Sequence, residues 1–238
     1  MKIWRTCICF TLALILWVFF YDELVQVMQQ WLPIRGKLLM RTPLYELAFQ
    51  HMLLAGLTTA MSLITALTMA VMVRISSNPE LESSLLSLAT MGQSLPSAVI
   101  IALAVPVLGY GNGPVALALY LYGILPILRN AIAGFRMLPS AVVQAAKGMG
   151  MSGIQSLWYV DLPLIWPLVV AGLRTALVVN ISAATIGATV GAGGLGVPIM
   201  AGIRTRDFIL LFQGSGAVLL MALWADSLLN TWQHRRSY

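Results

Sequence analysis

The amino-acid sequence predicts an all-α membrane protein with about six transmembrane helices. Of its 238 residues, 59% are hydrophobic and only 9% are charged, whereas soluble domains carry about 25% charged residues. A water-facing surface cannot be built from so few charges, so lipid must solvate much of the chain. Because one span needs about 20 apolar residues, this length accommodates about six spans with short connections in a single membrane domain.

The apolar runs place the spans and divide the chain. The first run ends in the bulky stretch from Trp17 to Tyr21 instead of a small-residue cleavage site, which favours an uncleaved span over a signal peptide. We expect a first span and connecting segment at 1–50, a core membrane domain at 51–230 and a tail at 231–238. The predicted spans are 6–26, 51–73, 86–109, 114–134, 164–190 and 208–230.

Proline and glycine interrupt two of these spans. The third contains Pro96 and Pro106, and the fourth contains Gly123 and Pro126. Proline removes a backbone donor and clashes with the preceding turn of a helix. We therefore expect a polar turn at 76–83, kinks in the third span and a break in the fourth.

The net charge of +6 indicates orientation rather than nucleic-acid binding, because positive residues of membrane proteins collect on cytoplasmic loops. With the N-terminus inside, eight basic residues lie on the inner side: Lys2, Arg5, Arg74, Arg129, Arg136, Lys147, Arg235 and Arg236. Five lie on the outer side: Arg35, Lys37, Arg41, Arg204 and Arg206. This bias predicts that both termini and a polar segment at about 135–162 face the cytoplasm.

The polar segment at about 135–162 predicts two short helices around a small-residue corner. A first helix over 141–147 would be capped by the Ser140 hydroxyl. Gly148 and Gly150 would end that helix and let the chain turn.

The second short helix starts with a capping-box pattern. Ser152 and Gln155 stand at the spacing that this motif requires. Ile154, Leu157 and Trp158 would then share one face of the helix.

The spacing of small residues in this segment carries the strongest functional signal. It follows the pattern Glu-Ala-Ala, three free positions, Gly, nine free positions, Ile, one free position, Leu-Pro. Gln144 stands for the Glu and Val160 for the Ile, and the matching residues are Ala145, Ala146, Gly150, Leu162 and Pro163. An amphipathic loop on the membrane surface would explain Trp158 and Lys147, but not these spacings together.

Through this motif and further runs of the core domain, the chain resembles the membrane subunits of binding-protein-dependent ABC importers. More narrowly, it resembles the permeases of glycine betaine and related osmoprotectant importers. The runs that carry the resemblance are 92–97, 104–111, 122–130, 145–151, 162–164, 171–176 and 184–196. Gln144 departs from the usual Glu, which puts any salt bridge of that Glu in question here.

The resemblance implies a type I, MetI-like permease in the inner (plasma) membrane of a bacterium. A second permease subunit, identical or homologous, completes the pathway; cytoplasmic ABC ATPases drive it, and an extracytoplasmic solute-binding protein delivers the solute. This chain would be a transport subunit and not an enzyme, in contact with lipid, with no cofactor of its own and with ATP bound by the partner ATPase. The residues expected to couple to the ATPase are Gln144, Ala145, Ala146, Lys147, Gly148, Met149, Gly150, Leu162 and Pro163.

The fifth span carries polar residues that would line the pathway: Asn180, Ser182, Thr185 and Thr189. Plain helix packing is the alternative. The run 191–196 fits G-x-G-x-x-G, but a dinucleotide site needs a preceding strand and an acidic residue about 20 positions later. A membrane span precedes this run, so we interpret it as a flexible external mouth of the pathway.

Three charged residues in or beside the spans need an explanation. Arg174 and Asp226 either snorkel to the interface or pair with each other, whereas Asp161 has no evident partner. His51 and His234 are too far apart in the topology to form a site.

Three other functions compete with the osmoprotectant permease. An ABC permease for an amino acid, methionine or a sulfonate is the nearest. An ion-coupled secondary transporter predicts an internal repeat and a buried mid-membrane carboxylate, and neither stands out. A scaffold or sensor leaves the polar segment without a purpose. The solute class, a compatible solute such as glycine betaine, choline or a related quaternary amine, depends on the resemblance alone.

Overall fold

The computed structural model describes residues 2–31 and 42–235, and every regular element within them is helical. The α-helices are α1 (Lys2–Trp31), α2 (Leu44–Ser76), α3 (Pro79–Ser94), α4 (Ser97–Leu108), α5 (Asn112–Arg136), α6 (Ser140–Gly148), α7 (Gly153–Ser156), α8 (Leu162–Ala183), α9 (Gly196–Thr205) and α10 (Phe208–Arg235). A π turn, Leu157–Asp161, joins α7 to α8, and a 3-10 segment, Ala184–Val190, extends α8.

Five helical runs of the described chain are long and apolar enough to cross a membrane. They are Trp4–Val27, Leu44–Ser76, Asn112–Arg136, Gly153–Val190 and Phe208–Gln233. A sixth crossing is supplied by α3 and α4 together, which bend by 90° at their junction. The all-α fold with about six spans is therefore confirmed.

The pair α3 and α4 forms one span that is broken near its middle. The start of α3 lies beside the last turn of α5, where Arg136 bonds Glu82. The end of α3 lies beside the middle of α5, where the Tyr122 hydroxyl donates to the Leu95 carbonyl. From Pro96, α4 continues to the turn that begins α5. The two helices thus extend from one end of α5 to the other, and the predicted kink falls at Pro96.

The predicted break in the fourth span is wrong, because α5 is continuous through Gly123 and Pro126. A Cβ on Gly123 would lie 2.5 Å from Ser62 Oγ, and one on Gly172 would lie 2.7 Å from the Pro126 carbonyl oxygen. These residues let α2, α5 and α8 approach closely, as small residues do between membrane helices. In membrane helices, neighbouring helices can satisfy the backbone groups that a proline leaves free. Pro106 also lies inside a helix, α4.

Helices α1 and α10 pack together beside the central α2, α5 and α8. The Trp17 indole Nε1 donates to the Gln213 carbonyl at 3.1 Å, and the Tyr21 hydroxyl donates to the Ile209 carbonyl at 2.7 Å. In each bond, a ring in the second half of α1 donates to a carbonyl near the start of α10. The contact therefore holds α1 antiparallel to α10.

Helix α10 is attached to α8 by a charged pair. Arg174 Nη2 lies 2.8 Å from Asp226 Oδ1 and 2.9 Å from Asp226 Oδ2. Arg174 Nη1 also donates to Asn230 Oδ1 at 2.9 Å. Of the two alternatives for these charges, the pair is the one that the structure contains.

Two predicted boundaries change because the helices begin earlier. Helix α2 starts at Leu44, directly after Pro43, rather than at residue 51. Helix α3 starts at Pro79, because Asn78 Oδ1 accepts the Glu80 amide at 2.8 Å and caps it. The polar turn predicted at 76–83 is consequently short, and polar residues at its end belong to α3.

Both ends of the described chain lie at the same end of the bundle as residues 137–161, which we call the elbow. Trp4 and Trp232 line one groove between α1 and α10, and the Trp232 ring lies 6.1 Å from that of Trp166, near the start of α8. We call residues 191–196, at the opposite end of α8, the glycine turn. Four of the basic residues that were used to predict the orientation lie outside the described residues: Arg35, Lys37, Arg41 and Arg236.

Candidate functional site

The elbow begins where α5 ends and α6 starts. The Met137 amide donates to the Ala133 and Gly134 carbonyls, each at 3.1 Å. Pro139 is the N-cap of α6, and no side chain caps this helix. The predicted Ser140 cap is wrong, because Ser140 is already helical, whereas a capping side chain acts from the non-helical residue before the helix.

Helix α6 ends in a complete Schellman motif. The Met151 amide donates to the Ala146 carbonyl at 3.2 Å, and the Gly150 amide donates to the Lys147 carbonyl at 2.9 Å. Gly150 has a φ of 77°, the left-handed conformation that this motif needs and that glycine adopts most easily. A Cβ on Gly150 would meet nothing within 4 Å. Backbone conformation, not close packing, therefore requires glycine at this corner.

The second arm of the elbow starts with the predicted capping box. Ser152 Oγ accepts the Gln155 amide at 3.3 Å, and Gln155 Oε1 accepts the Ser152 amide at 2.8 Å. The three residues that we expected to share one face differ in exposure: Leu157 is buried, whereas Ile154 and Trp158 are 67% and 64% exposed. The π turn that begins at Leu157 changes the period of the helix, so only Leu157 faces the body.

The helical run that contains the second arm of the elbow is longer than a bilayer core is thick. The helical run Gly153–Val190 has 38 residues, which is about 57 Å at 1.5 Å per residue. A bilayer core is only about 30 Å thick. The fifth span predicted at 164–190 therefore lies within a longer helical run, which begins earlier, at the second arm of the elbow.

The outer surface of α6 is exposed and rich in small or apolar residues. Gln144, Ala145 and Lys147 are exposed, and Met149 is 69% exposed. Ala146 is the exception, because it is buried against the body. An exposed apolar surface on a protruding segment is typical of a contact with another protein.

The last two predicted coupling residues lie on the body and not at the corner. Leu162 packs against the core that α2, α5 and α8 share. Pro163 is the second residue of α8 and directly follows the π turn. Both residues line an apolar groove of about 700 Å³ together with Trp158 and Trp166.

Asp161 has a partner that sequence reasoning missed. Its Oδ2 accepts a hydrogen bond from Arg74 Nε at 2.8 Å, and its side chain is 4% exposed. The two residues are 87 positions apart, so no local pattern could pair them. The available signal was an acidic residue inside an apolar stretch and an arginine in the last turn of a membrane helix.

The four predicted pathway residues do not share one surface. Asn180 is fully buried, and its Nδ2 donates to Thr59 Oγ1 at 2.9 Å, where α8 crosses α2. Ser182 and Thr189 are exposed and Thr185 is partly exposed. The hydroxyls of these three residues donate to carbonyls of their own helical run, so their bonding leaves their outer faces open.

The second half of the glycine turn, Gly194 to Gly196, is buried and hydrogen-bonded, whereas Gly191 is exposed. The Leu195 amide donates to His51 Nδ1 at 3.3 Å, and His51 Nε2 lies 2.8 Å from the Ile181 carbonyl oxygen. The Gly194 amide donates to Gln50 Oε1 at 3.3 Å. These bonds fix His51 as the tautomer that carries its proton on Nε2. Sequence reasoning missed this role of His51, since its partners are distant in the chain.

The family model and the related proteins that match this chain indicate the same family. The model of the family described as "Binding-protein-dependent transport system inner membrane component" matches residues 62–236. The osmoprotectant import permease protein OsmW of Salmonella typhimurium is 34% identical over 195 residues, covering 80% of this chain and 90% of the relative. The choline transport system permease protein OpuBD of Bacillus subtilis is 40% identical over 144 residues, covering 60% of this chain and 63% of the relative.

A carnitine permease and a solved structure extend the comparison. The carnitine transport permease protein OpuCD of Listeria monocytogenes is 34% identical over 188 residues, covering 79% of this chain and 83% of the relative. An inward-facing structure of the MetNI methionine ABC transporter superposes with a TM-score of 0.73 at 16% identity, covering 83% of this chain and 99% of that chain. At this identity the superposition is evidence for the fold only, and it confirms the MetI-like architecture.

Proposed function

We propose that this chain, which belongs to the family of binding-protein-dependent transport system inner membrane components, carries an osmoprotectant of the glycine betaine, choline and carnitine class. As a member of that family it is the permease subunit of an ABC importer, a multi-pass inner-membrane protein and not an enzyme. The solute class is supported by relatives named as osmoprotectant, choline and carnitine permeases. The family also favours this function over an ion-coupled transporter or a scaffold.

The elbow is the proposed contact with the cytoplasmic ATPase that such a permease requires. The observation that carries this proposal is the Schellman corner at Gly150, which ends α6 and leaves its outer surface exposed. Lys147, Arg74 and Arg136 lie at this end of the bundle, which favours a cytoplasmic elbow and cytoplasmic termini. In this proposal ATP stays on the partner, and the permease changes conformation because the ATPase binds one of its states more tightly.

The remaining partners follow from the family. A solute-binding protein would dock at the glycine-turn end, and a second permease subunit would close the pathway. We propose that Ser182, Thr185 and Thr189 face that pathway, because their outer sides are open. Asn180 instead holds α8 on α2.

The test is a reconstituted complex of this chain with its ATPase and binding protein. Cys7 and Cys9, which are free thiols, are first replaced by alanine. We expect Met149→Cys to form a crosslink with the ATPase subunit. The matched control is Tyr110→Cys, which is 81% exposed but lies at the opposite end of α5, and which should give no such crosslink. The reverse pattern would contradict the proposed orientation.

The same complex, reconstituted into proteoliposomes, is used to identify the transported solute. We expect ATP-dependent uptake of glycine betaine, choline or carnitine, and no uptake of methionine. Uptake of methionine alone would contradict the proposed solute class while leaving the family assignment intact.

A further inference from the structure

Few side chains attach the elbow to the rest of the protein. Within 140–156 the only buried residue is Ala146, and the next buried residues along the chain are Leu157 and Asp161. A displacement of α6 can therefore reach the membrane helices by two routes. One is the short link 137–139 to α5, and the other is the rod of α7 and the π turn that continues into α8.

Arg74 contacts both routes, one at the end of α5 and the other just before α8. It occupies the last turn of α2, and its Nε donates to Asp161 Oδ2 at 2.8 Å in the π turn. Its guanidinium carbon lies 5.9 Å from the ring centroid of Phe135, in the last turn of α5. A single side chain thus connects α2 with α5 and with the π turn at the end of the elbow. Its positive charge also suits the C-terminal end of a helix dipole.

Asp161 is placed where movement of the elbow would first reach the body. It is the last residue of the π turn, and α8 begins at the next residue. Single π turns inside α-helices are frequent at functional sites. A carboxylate that is 4% exposed needs a charged partner in order to stay buried, and Arg74 supplies it from a different helix.

The contact between the two side chains leaves room for adjustment. Only Asp161 Oδ2 is bonded, whereas the buried Asp161 Oδ1 has no hydrogen-bond partner, and Arg74 bonds Asp161 through Nε alone. Arginine and carboxylate can also pair through two parallel hydrogen bonds. A small rotation of α8 could therefore convert one arrangement into the other without separating the charges.

We propose that Arg74 and Asp161 are positioning residues that make α2 move together with α8 when the ATPase displaces the elbow. The proposal depends on the proposed function of the elbow. Without the pair, the rod of α7 and α8 can shift while α2 stays in place, and ATP is then hydrolysed with little transport. The quantity that the pair controls is the amount of solute carried per ATP.

The experiment compares Arg74→Gln, Asp161→Asn and Arg74→Lys in the reconstituted complex. Uptake and ATP hydrolysis are measured on the same proteoliposomes, and the Met149→Cys crosslink reports whether the ATPase still binds. We expect the crosslink to persist in all three variants, and most of the solute carried per ATP to be lost in the two neutral variants. Arg74→Lys should retain more of the ratio, because it keeps the charge.

Arg136→Gln is the matched control, since it removes another ion pair at the same end of the bundle. The Arg136 side chain is 70% exposed, and we expect its loss to leave solute per ATP unchanged. An unchanged ratio in Arg74→Gln and Asp161→Asn would overturn the proposal. So would an equal loss of uptake, hydrolysis and assembled complex, because that is the result of a merely structural pair. Absence of the Met149→Cys crosslink in the otherwise unsubstituted complex would instead contradict the proposed function of the elbow.

Discussion

The glycine turn and the elbow stand at opposite ends of the same helical run, and both are built from small residues with left-handed glycines. At the glycine turn, a Cβ on Gly194 would lie 2.9 Å from His51 Nδ1, and one on Gly196 would collide with the Thr185 carbonyl oxygen. At the elbow, a Cβ on Gly150 would meet nothing within 4 Å. Gly194 and Gly196 therefore serve close packing within the chain, whereas Gly150 serves backbone conformation on an exposed surface.

This comparison teaches that two similar sequence patterns can have opposite physical roles. The glycine turn is stabilised by contacts inside the subunit, so changes there should affect folding. The elbow is stabilised by its own backbone bonds, so changes there should affect the contact with a partner. Three substitutions test this division, beginning with the one that should have the largest effect.

Gly196→Ala should remove most of the folded permease from the membrane. The new methyl group would collide with the backbone oxygen of Thr185, which cannot move aside as the end of a flexible side chain could. Overpacking of this kind costs about 1–3 kcal/mol, and occasionally more. The measurement is the yield of monodisperse protein after solubilisation, together with its thermal midpoint.

Gly148→Ala is the matched control for Gly196→Ala. A Cβ on Gly148 would meet nothing within 4 Å, and Gly148 lies in the last turn of α6 without a positive φ. Its yield and thermal midpoint should equal those of the unsubstituted chain. Equal stability of the two alanine variants would end the distinction between the two regions.

His51→Leu should have the second-largest effect. It removes the side-chain donor of the Ile181 carbonyl and leaves the buried Leu195 amide unpaired. An unpaired buried group costs about 1–3 kcal/mol. For a chain of this size, the thermal midpoint should fall by roughly 2–4 °C for each kcal/mol. His51→Gln, which keeps a donor for the Ile181 carbonyl, should lie between His51→Leu and the unsubstituted chain. A His51→Leu protein as stable as the unsubstituted one would show that these bonds do not stabilise the turn.

The sequence could predict the elbow in more detail than the glycine turn, and the reason is the distance between partners. Ser152 and Gln155 are three positions apart, and the Schellman bonds at Gly150 join residues at most five positions apart, so local patterns contain them. His51 and Leu195 are 144 positions apart. Their contact exists only after α2 has packed beside α8.

The same reasoning explains the errors on α5 and Asp161. Pro126 predicts a break when α5 is considered alone, but the neighbouring α8 supports the helix at that point through Gly172. Asp161 has no partner within its own segment, and its partner Arg74 arrives from the end of another span. Periodicity and motif spacing therefore predict elements and local corners, whereas the bonds that join the spans require the packed bundle.

Gly150→Ala should have the smallest effect on the fold and still reduce transport. An alanine in the left-handed conformation costs about 1–2 kcal/mol, which lowers the ratio of formed to unformed corner by a factor of roughly 5–30. Because the corner is exposed, the thermal midpoint should not change, whereas the initial uptake rate should fall by up to that factor. Gly150→Asn is the matched variant, since asparagine tolerates this conformation better than alanine, and it should retain more uptake. Equal uptake by all three proteins would show that the Schellman corner is not required for contact with the ATPase. A fall in the thermal midpoint would instead show that the elbow, like the glycine turn, stabilises the fold.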